Sequence, residues 1–172
     1  MVLTLPLTNL TTLYLDATKI SGADLEHLKR LTKLTRLGLA NNKKVTDTGL
    51  EHLKGLTNLT NLRLDTTQVG DTGLHHLKGL TNLTDIQLAR TQVSDMGLEH
   101  LKGLKNLTNL SLRETQVGDT GLKHLKGLTK LTNLDLSRTK VTAQGIADLQ
   151  KALPMCEILW DGGTIDGQPV KK

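Results

Sequence analysis

The sequence predicts an α/β solenoid, a line of short coils each built from one strand and one short helix. Three observations lead there. A block of 24 residues recurs along the chain. Each block carries two hydrophobic periods, one suited to a strand and one to a helix. The apolar content is almost wholly aliphatic: aromatic residues are 1% of the chain, with no Phe, one Tyr and one Trp. Any core must therefore be assembled from Leu, Val and Ile.

The repeats set the organisation. Residues 56–79 read LTNLTNLRLDTTQVGDTGLHHLKG, residues 80–103 read LTNLTDIQLARTQVSDMGLEHLKG, and residues 104–127 read LKNLTNLSLRETQVGDTGLKHLKG. Looser copies occupy 7–30, 31–55 and 128–152, the second of them lengthened by one residue inside Asn41-Asn42-Lys43-Lys44. The shared frame is L-x-x-L-x-L-x-x-T-x-V-x-D-x-G-L-x-x-L. Six units are thus expected over 7–152, after a short lead-in at 1–6 and before a C-terminal cap and tail at 153–172.

Within a unit the elements follow in order. Leu62-Arg63-Leu64 alternates as a half-buried strand does. Leu74, Leu77 and Leu80 fall on one stripe of a short helix facing a core. Gly70 or Asp71 suits the helix N-terminus, and Gly79 suits the C′ position that would end it. One unit cannot bury its own leucines. Stacked units can, each covering its neighbour, which spreads stability along a line.

These motifs resemble the leucine-rich-repeat family over residues 7–152, most closely the bacterial 24-residue repeats of the cysteine-containing or GALA-like type. The resemblance implies a right-handed solenoid bent as a horseshoe arc, with a parallel sheet on the concave face and short helices on the convex face. It departs at the ladder position. Thr18, Thr67, Thr91, Thr115 and Thr139 stand where the family has Asn or Cys, and only Asn42 keeps the Asn. In the family that side chain hydrogen-bonds the neighbouring coil. A Thr hydroxyl offers one donor and two lone pairs, so the ladder is expected to survive.

Composition excludes several classes. The single Cys156 rules out an internal disulfide framework and any CxxC metal site. There is no run of about 18 apolar residues, so no membrane-inserted helix is expected. The start shows no basic n-region of a signal peptide, and a cytoplasmic setting is the favoured expectation. At the other end Cys156, Ile158 and Trp160 alternate, a last strand closing the apolar end of the stack, as similar segments do in bacterial relatives.

Charge columns are read as scaffold. The net charge of +5 raises nucleic acid as a partner. Yet Lys29, Lys54, Lys78, Lys102 and Lys126 share a place near the helix C-terminus, and Asp47, Asp71, Asp95 and Asp119 one near its N-terminus. Both complement the helix dipole, by about 0.3–1 kcal/mol each. No aromatic platform accompanies the lysines, so nucleic acid is a disfavoured partner. His27, His52, His76, His100 and His124 form a third column, with His75 extra. Helices pack about 8–10 Å apart while zinc needs nitrogens about 2 Å away, so no metal is expected there. The glycines at 49, 73, 97, 121 and 145 are assigned to close approach between coils.

Repeat proteins hold scaffold positions fixed and vary reading positions. Here the variable positions flank the strand leucines and point away from the core. They include Arg36, Arg63, Asp65, Asp85, Gln87, Arg90, Arg113, Glu114, Asp135 and Arg138. The mixture of signs fits a protein or peptide better than a polyanion, which would favour one sign, and Arg is a common interface anchor. Adjacent strands about 4.8 Å apart make six span roughly 25–30 Å, enough for a standard interface. The expected function is a non-catalytic protein–protein interaction module, acting as a monomer with no cofactor. No nucleophile–base set, P-loop or GxGxxG is present. Two alternatives stand beside it: a structural segment of a larger protein, and weak nucleic-acid or anionic-surface binding by the lysine-bearing side.

Overall fold

The computed structural model describes residues 7–167; the expected lead-in at 1–6 and the last five residues lie outside them. Eight strands form one open sheet in sequence order: β1 (Thr12–Tyr14), β2 (Arg36–Gly38), β3 (Asn61–Arg63), β4 (Asp85–Gln87), β5 (Asn109–Ser111), β6 (Asn133–Asp135), β7 (Glu157–Trp160) and β8 (Gly163–Ile165). The first seven pair in parallel with matching residues in register, such as Leu37 with Leu62 and Leu62 with Ile86. Strand β8 turns back antiparallel on β7. The alternation at Cys156, Ile158 and Trp160 thus resolves as a seventh coil-forming strand. Ile158 is buried in it and Cys156 just before it, and Trp160 packs partly buried against the core.

On the other side of the core lie short helices: α1 (Asp47–Leu50), α2 (Asp71–Leu77), α3 (Asp95–Leu98), α4 (Asp119–Leu125) and α5 (Ala143–Ala152). The first coil has only a 3₁₀ helix, Ala23–Leu28, and α1 and α3 each run on into a 3₁₀ turn, Glu51–Leu53 and Glu99–Leu101. Those two turns carry Glu51–Lys54 and Glu99–Lys102 ion pairs three residues apart. A 3₁₀ turn eclipses just that spacing. The coils with His75 and Lys123 in place of Glu remain α-helical throughout.

Between sheet and helices runs a single aliphatic core. Leu62, Leu64, Val69, Leu74 and Leu77 are completely buried, and so are their equivalents in the next coil. In the first coil Leu13, Leu15 and Ile20 pack on the core but stay partly exposed.

Coil-to-coil hydrogen bonding differs from the family expectation. The ladder threonines do not reach across. Thr67 donates to Leu64 O at 2.7 Å, and Thr18, Thr91, Thr115 and Thr139 repeat this bond to the carbonyl three residues back in their own coil. A hydroxyl is one atom too short to span neighbouring backbones. Asn42 does span them, giving Nδ2 to Leu15 O at 2.8 Å as well as to Leu39 O. The inter-coil ladder runs instead through the threonine before each strand. Thr35, Thr60, Thr84, Thr108 and Thr132 each donate Oγ1 to the preceding coil's equivalent carbonyl at 3.0–3.1 Å.

The Asp and Gly columns prove to be one device. Asp47, Asp71, Asp95 and Asp119 open their helices and also accept the backbone N–H of the residue preceding the next helix, at 2.6–2.8 Å. The glycine three positions into that helix leaves room for the carboxylate. A Cβ on Gly73 would lie 2.5 Å from Asp47 Oδ1, and one on Gly121 2.6 Å from Asp95 Oδ1. Gly79 does not serve as a left-handed C′ residue: among the described glycines only Gly163 has positive φ. The left-handed position is the second residue after the strand's last leucine. There Ala17, Asn41, Thr66, Arg90, Glu114 and Arg138 sit at φ 55–59°. From that conformation the N–H of each of the first five reaches the next coil, as Thr66 N does to Ala89 O at 2.8 Å.

Candidate functional site

Strands three residues long present only two outward side chains each, so the sheet face is narrow. Of the expected reading residues, Arg36, Arg63, Asp85, Gln87 and Asp135 stand on strands, and Asp65, Arg90, Arg113, Glu114 and Arg138 in the turns that follow. The turn residues form a second row along one edge of the sheet. The left-handed backbone at Arg90, Glu114 and Arg138 turns their side chains toward those of neighbouring coils.

That row contains the densest charge cluster. Glu114 is met by three arginines from three successive coils: Arg90 Nε at 2.9 Å, Arg113 Nε at 3.3 Å and Arg138 Nη1 at 3.2 Å. Arg90 binds it with two nitrogens, the forked geometry that makes guanidinium–carboxylate pairs directional. Those bonds hold the Glu114 carboxyl below its ordinary pKa and raise that of Arg90. Arg113 Nε approaches in poor alignment, is buried, and has no hydrogen-bond acceptor. One carboxylate thus serves three guanidiniums, and the cluster keeps a positive surplus.

The strand row breaks into two hollows. Toward the C-terminal end, one of about 390 Å³ is lined by Gln87, Asn109, Ser111, Asn133, Asp135, Glu157 and Leu159. Asp135 is held by Ser137 N and Oγ at 2.9 and 2.7 Å, and Leu159 is 42% exposed. Toward the N-terminal end, a hollow of about 220 Å³ is lined by Tyr14, Arg36, Asn61, Arg63, Asp85 and Gln87. Gln87 Nε2 donates to Asp85 at 2.7 Å and closes the gap between the two hollows. Arg63 reaches past the second coil to Asp16 at 3.4 Å. Gly38 makes this possible, since a Cβ there would lie 2.6 Å from Asp16 Oδ2. Burial pushes the Asp65 carboxyl above its usual range, against the opposing bond from Ala89 N.

Sequence reasoning missed Glu157 as a reading residue, because it lies past the last repeat. The alternation of Cys156, Ile158 and Trp160 carried the signal: it turns Glu157 and Leu159 outward. Asp16 stood at a variable position, but its ion pair with Arg63 across Gly38 was not legible.

The histidine column lies in the helical half. His75 sets its ring edge-on to His100 of the next coil, centroids 4.8 Å apart, and its pKa is lowered chiefly by the charge of Lys78. Cys156 is buried, and desolvation pushes its thiol up to about 12.

Known proteins share this architecture. A leucine-rich-repeat family model matches residues 30–54 and 103–126. An internalin of Listeria monocytogenes is 22% identical with a TM-score of 0.63, over 90% of this chain and 47% of that one. Internalin C2 of the same species is 26% identical at TM-score 0.65, over 89% and 71%. A leucine-rich-repeat protein of Leptospira interrogans is 22% identical at TM-score 0.69, over 88% and 37%. The chain therefore spans less than half of the first and the last. At 22% identity those two show the fold alone. No curated protein sequence matches the chain. These likenesses are to leucine-rich repeats at large and do not single out the cysteine-containing or GALA-like type. The recurring 24-residue frame, the parallel ladder with its aliphatic core, and these likenesses together give the chain a leucine-rich-repeat fold.

Proposed function

We propose that the chain is a non-catalytic module that binds a protein or peptide through the sheet face and its turn edge. The observation that carries this reading is the Glu114 cluster beside the acidic hollow. Arg90, Arg113 and Arg138 hold a positive surplus on the edge, while Asp135 and Glu157 place negative charge on the adjoining strands. A surface carrying both signs side by side selects a partner with the reverse pattern, which acidic and basic side chains of a polypeptide supply. Exposed Leu159 and Tyr14 add apolar contact in the two hollows. The contact residues proposed are Arg36, Arg63, Asp65, Asp85, Gln87, Arg90, Arg113, Glu114, Asp135 and Arg138, joined by Glu157.

The non-catalytic reading rests on what occupies this face. Its carboxylates other than Glu157 are engaged by arginines, Ser137, Gln87 or backbone N–H, and every histidine lies in the helical half. The likeness to leucine-rich-repeat proteins, which are commonly interaction modules, supports the same conclusion.

The test is capture of host proteins on the immobilised chain, repeated with Arg63→Glu and Arg90→Glu. Both side chains are half exposed, so both variants are expected to fold. A captured protein lost from both variants supports the sheet face. One retained by both at parental yield refutes it.

A further inference from the structure

The flank where the helices end and the chain returns to the sheet has a charge balance unlike the rest of the surface. Lysines run its full length: Lys29, Lys54, Lys78, Lys102 and Lys126 in one column, and Lys151 one position later in the sixth coil, where Gln150 holds the column place. Three more, Lys33, Lys105 and Lys130, stand in the return turns, and Arg30 and Lys123 lie beside the column. These eleven cations face four acids, Glu26, Glu51, Glu99 and Asp148. The surplus of seven charges exceeds the +5 of the whole chain, so the remaining surface is net negative. Each of the four acids is already taken, by Lys29, Lys54, Lys102 and Lys151 at 2.9–3.3 Å. In the third and fifth coils the acid is replaced by His75 and Lys123. Lys78 and Lys126 consequently have no carboxylate partner among the described residues.

Alongside this column lies a long open groove of about 680 Å³ with Lys33 and Lys130 at its ends. Its floor is built from two ladders. Thr60, Thr84 and Thr108 form the hydroxyl ladder described above. Asn58, Asn82 and Asn106 each donate Nδ2 to a threonine carbonyl of the preceding coil at 2.8–3.0 Å, which fixes every amide and leaves its Oδ1 facing out. Lys130 Nζ already donates to Asn106 Oδ1 at 2.8 Å, and Lys33 Nζ to Asn9 Oδ1 at 2.6 Å. The groove therefore offers fixed amide and hydroxyl oxygens between the ammonium groups at its two ends and alongside the lysine column.

We infer that this flank is a second binding surface, separate from the sheet face, and that its ligand is an extended anionic polysaccharide. Sulfate or carboxylate groups would lie against the lysines, and sugar hydroxyls would donate to the fixed amide and hydroxyl oxygens. The chemistry disfavours the other polyanions. Tyr14 stands on the sheet face, Trp160 in the C-terminal hairpin and the histidines on the helices, and no residue lining the groove carries a ring to stack a nucleic-acid base. A polar groove lined by threonine, asparagine and lysine, with no large apolar side chain in its lining, gives a flat anionic membrane little to hold.

The experiment is calorimetric titration of the full chain with a heparin octasaccharide at 50 and 150 mM NaCl. A thymidine oligonucleotide of equal charge and vesicles containing phosphatidylserine serve as the other arms. Heparin is expected to bind, at least tenfold more tightly than either competitor, with affinity falling as salt rises. Lys33→Glu with Lys130→Glu is expected to weaken it at least tenfold without changing the circular dichroism spectrum. If that pair disturbs folding, Lys78→Gln with Lys126→Gln, on exposed helix ends, is expected to move affinity the same way. Arg63→Glu with Arg90→Glu is expected to leave heparin binding unchanged, which separates this surface from the sheet face. No binding at 50 mM NaCl, equal binding of the oligonucleotide or the vesicles, or unaltered affinity in the lysine variants would overturn the inference.

Discussion

Replacing Gly121 by Ala, and Gly79 by Ala, should move stability in opposite directions although both changes add one methyl group to a helix or its end. In a helix interior Ala is favoured over Gly by about 0.5–1 kcal/mol. At Gly121 the new Cβ would lie 2.6 Å from Asp95 Oδ1, 3.1 Å from Asp95 Cα and 3.1 Å from Leu98 Cδ1. Asp95 cannot yield freely, because its Oδ1 accepts Gly118 N at 2.6 Å and its Cα belongs to the neighbouring coil. Either the coils part, an overpacking loss of about 1–3 kcal/mol, or the carboxylate leaves and a charge-assisted bond worth about 1.5–3 kcal/mol goes with it. After the helix gain is set against this, Gly121→Ala should destabilise by about 1–2 kcal/mol. For a chain of this size that lowers Tm by roughly 2–8 °C. At Gly79 a Cβ meets nothing within 4 Å and φ is not positive. There the reduced entropy of the unfolded chain should stabilise by about 0.4–1 kcal/mol. Thermal and urea unfolding followed by circular dichroism measure both, with urea slopes compared because repeat arrays can lose cooperativity. Equal shifts of the same sign would refute the account of the glycine and aspartate columns as one device.

Three further outcomes are expected. Thr66 is β-branched and held at φ 56°, so Thr66→Asn should raise the urea midpoint, by about 0.5–1 kcal/mol in stability. Asn42 is completely buried and bonds both its own coil and Leu15 O. Asn42→Ala should destabilise by about 1–3 kcal/mol, and hydrogen exchange should show the added opening centred on the first two coils. Burial raises the Asp65 pKa in the folded state. Its contribution to stability is therefore full at acid pH, below the pKa of the unfolded chain, and is lost as pH rises through the folded value. Asp65→Asn should accordingly be more stable than the parent at pH 7 and nearly equal to it at pH 3, as urea titrations at the two pH values would show.

The sequence was most readable where one frame repeats. The leucine spacing named the strand and helix in every coil because two incompatible periods, 2 and 3.6, alternate in one 24-residue block. The side chains that join coils were harder to read. Thr67 and Thr60 look alike in the sequence, yet one closes its own turn and the other bonds the preceding coil. The difference lies in how far a hydroxyl must reach, a distance that residue type does not state. Asp71 looked like a helix-dipole residue and is one, but its bonds to Ser94 N and Oγ belong to the next coil. On the candidate face the sequence identified which residues vary. It did not show that Arg90, Arg113 and Arg138 converge on Glu114, because that depends on the left-handed turn at Glu114. Nor did it show that Lys78 and Lys126 lack the acids that pair with the other lysines of their column, although the substitution of Glu by His75 and Lys123 was visible in the repeat.

The central claim is that recognition belongs to the sheet face and its arginine edge. The most direct measurement is quantitative mass spectrometry of host proteins captured on three immobilised forms: the parent chain, Arg63→Glu/Arg90→Glu, and Lys33→Glu/Lys130→Glu. The account predicts a protein that is retained by the parent and by the lysine variant and is depleted at least tenfold on the arginine variant. A captured protein that survives the arginine changes and disappears with the lysine changes would contradict it.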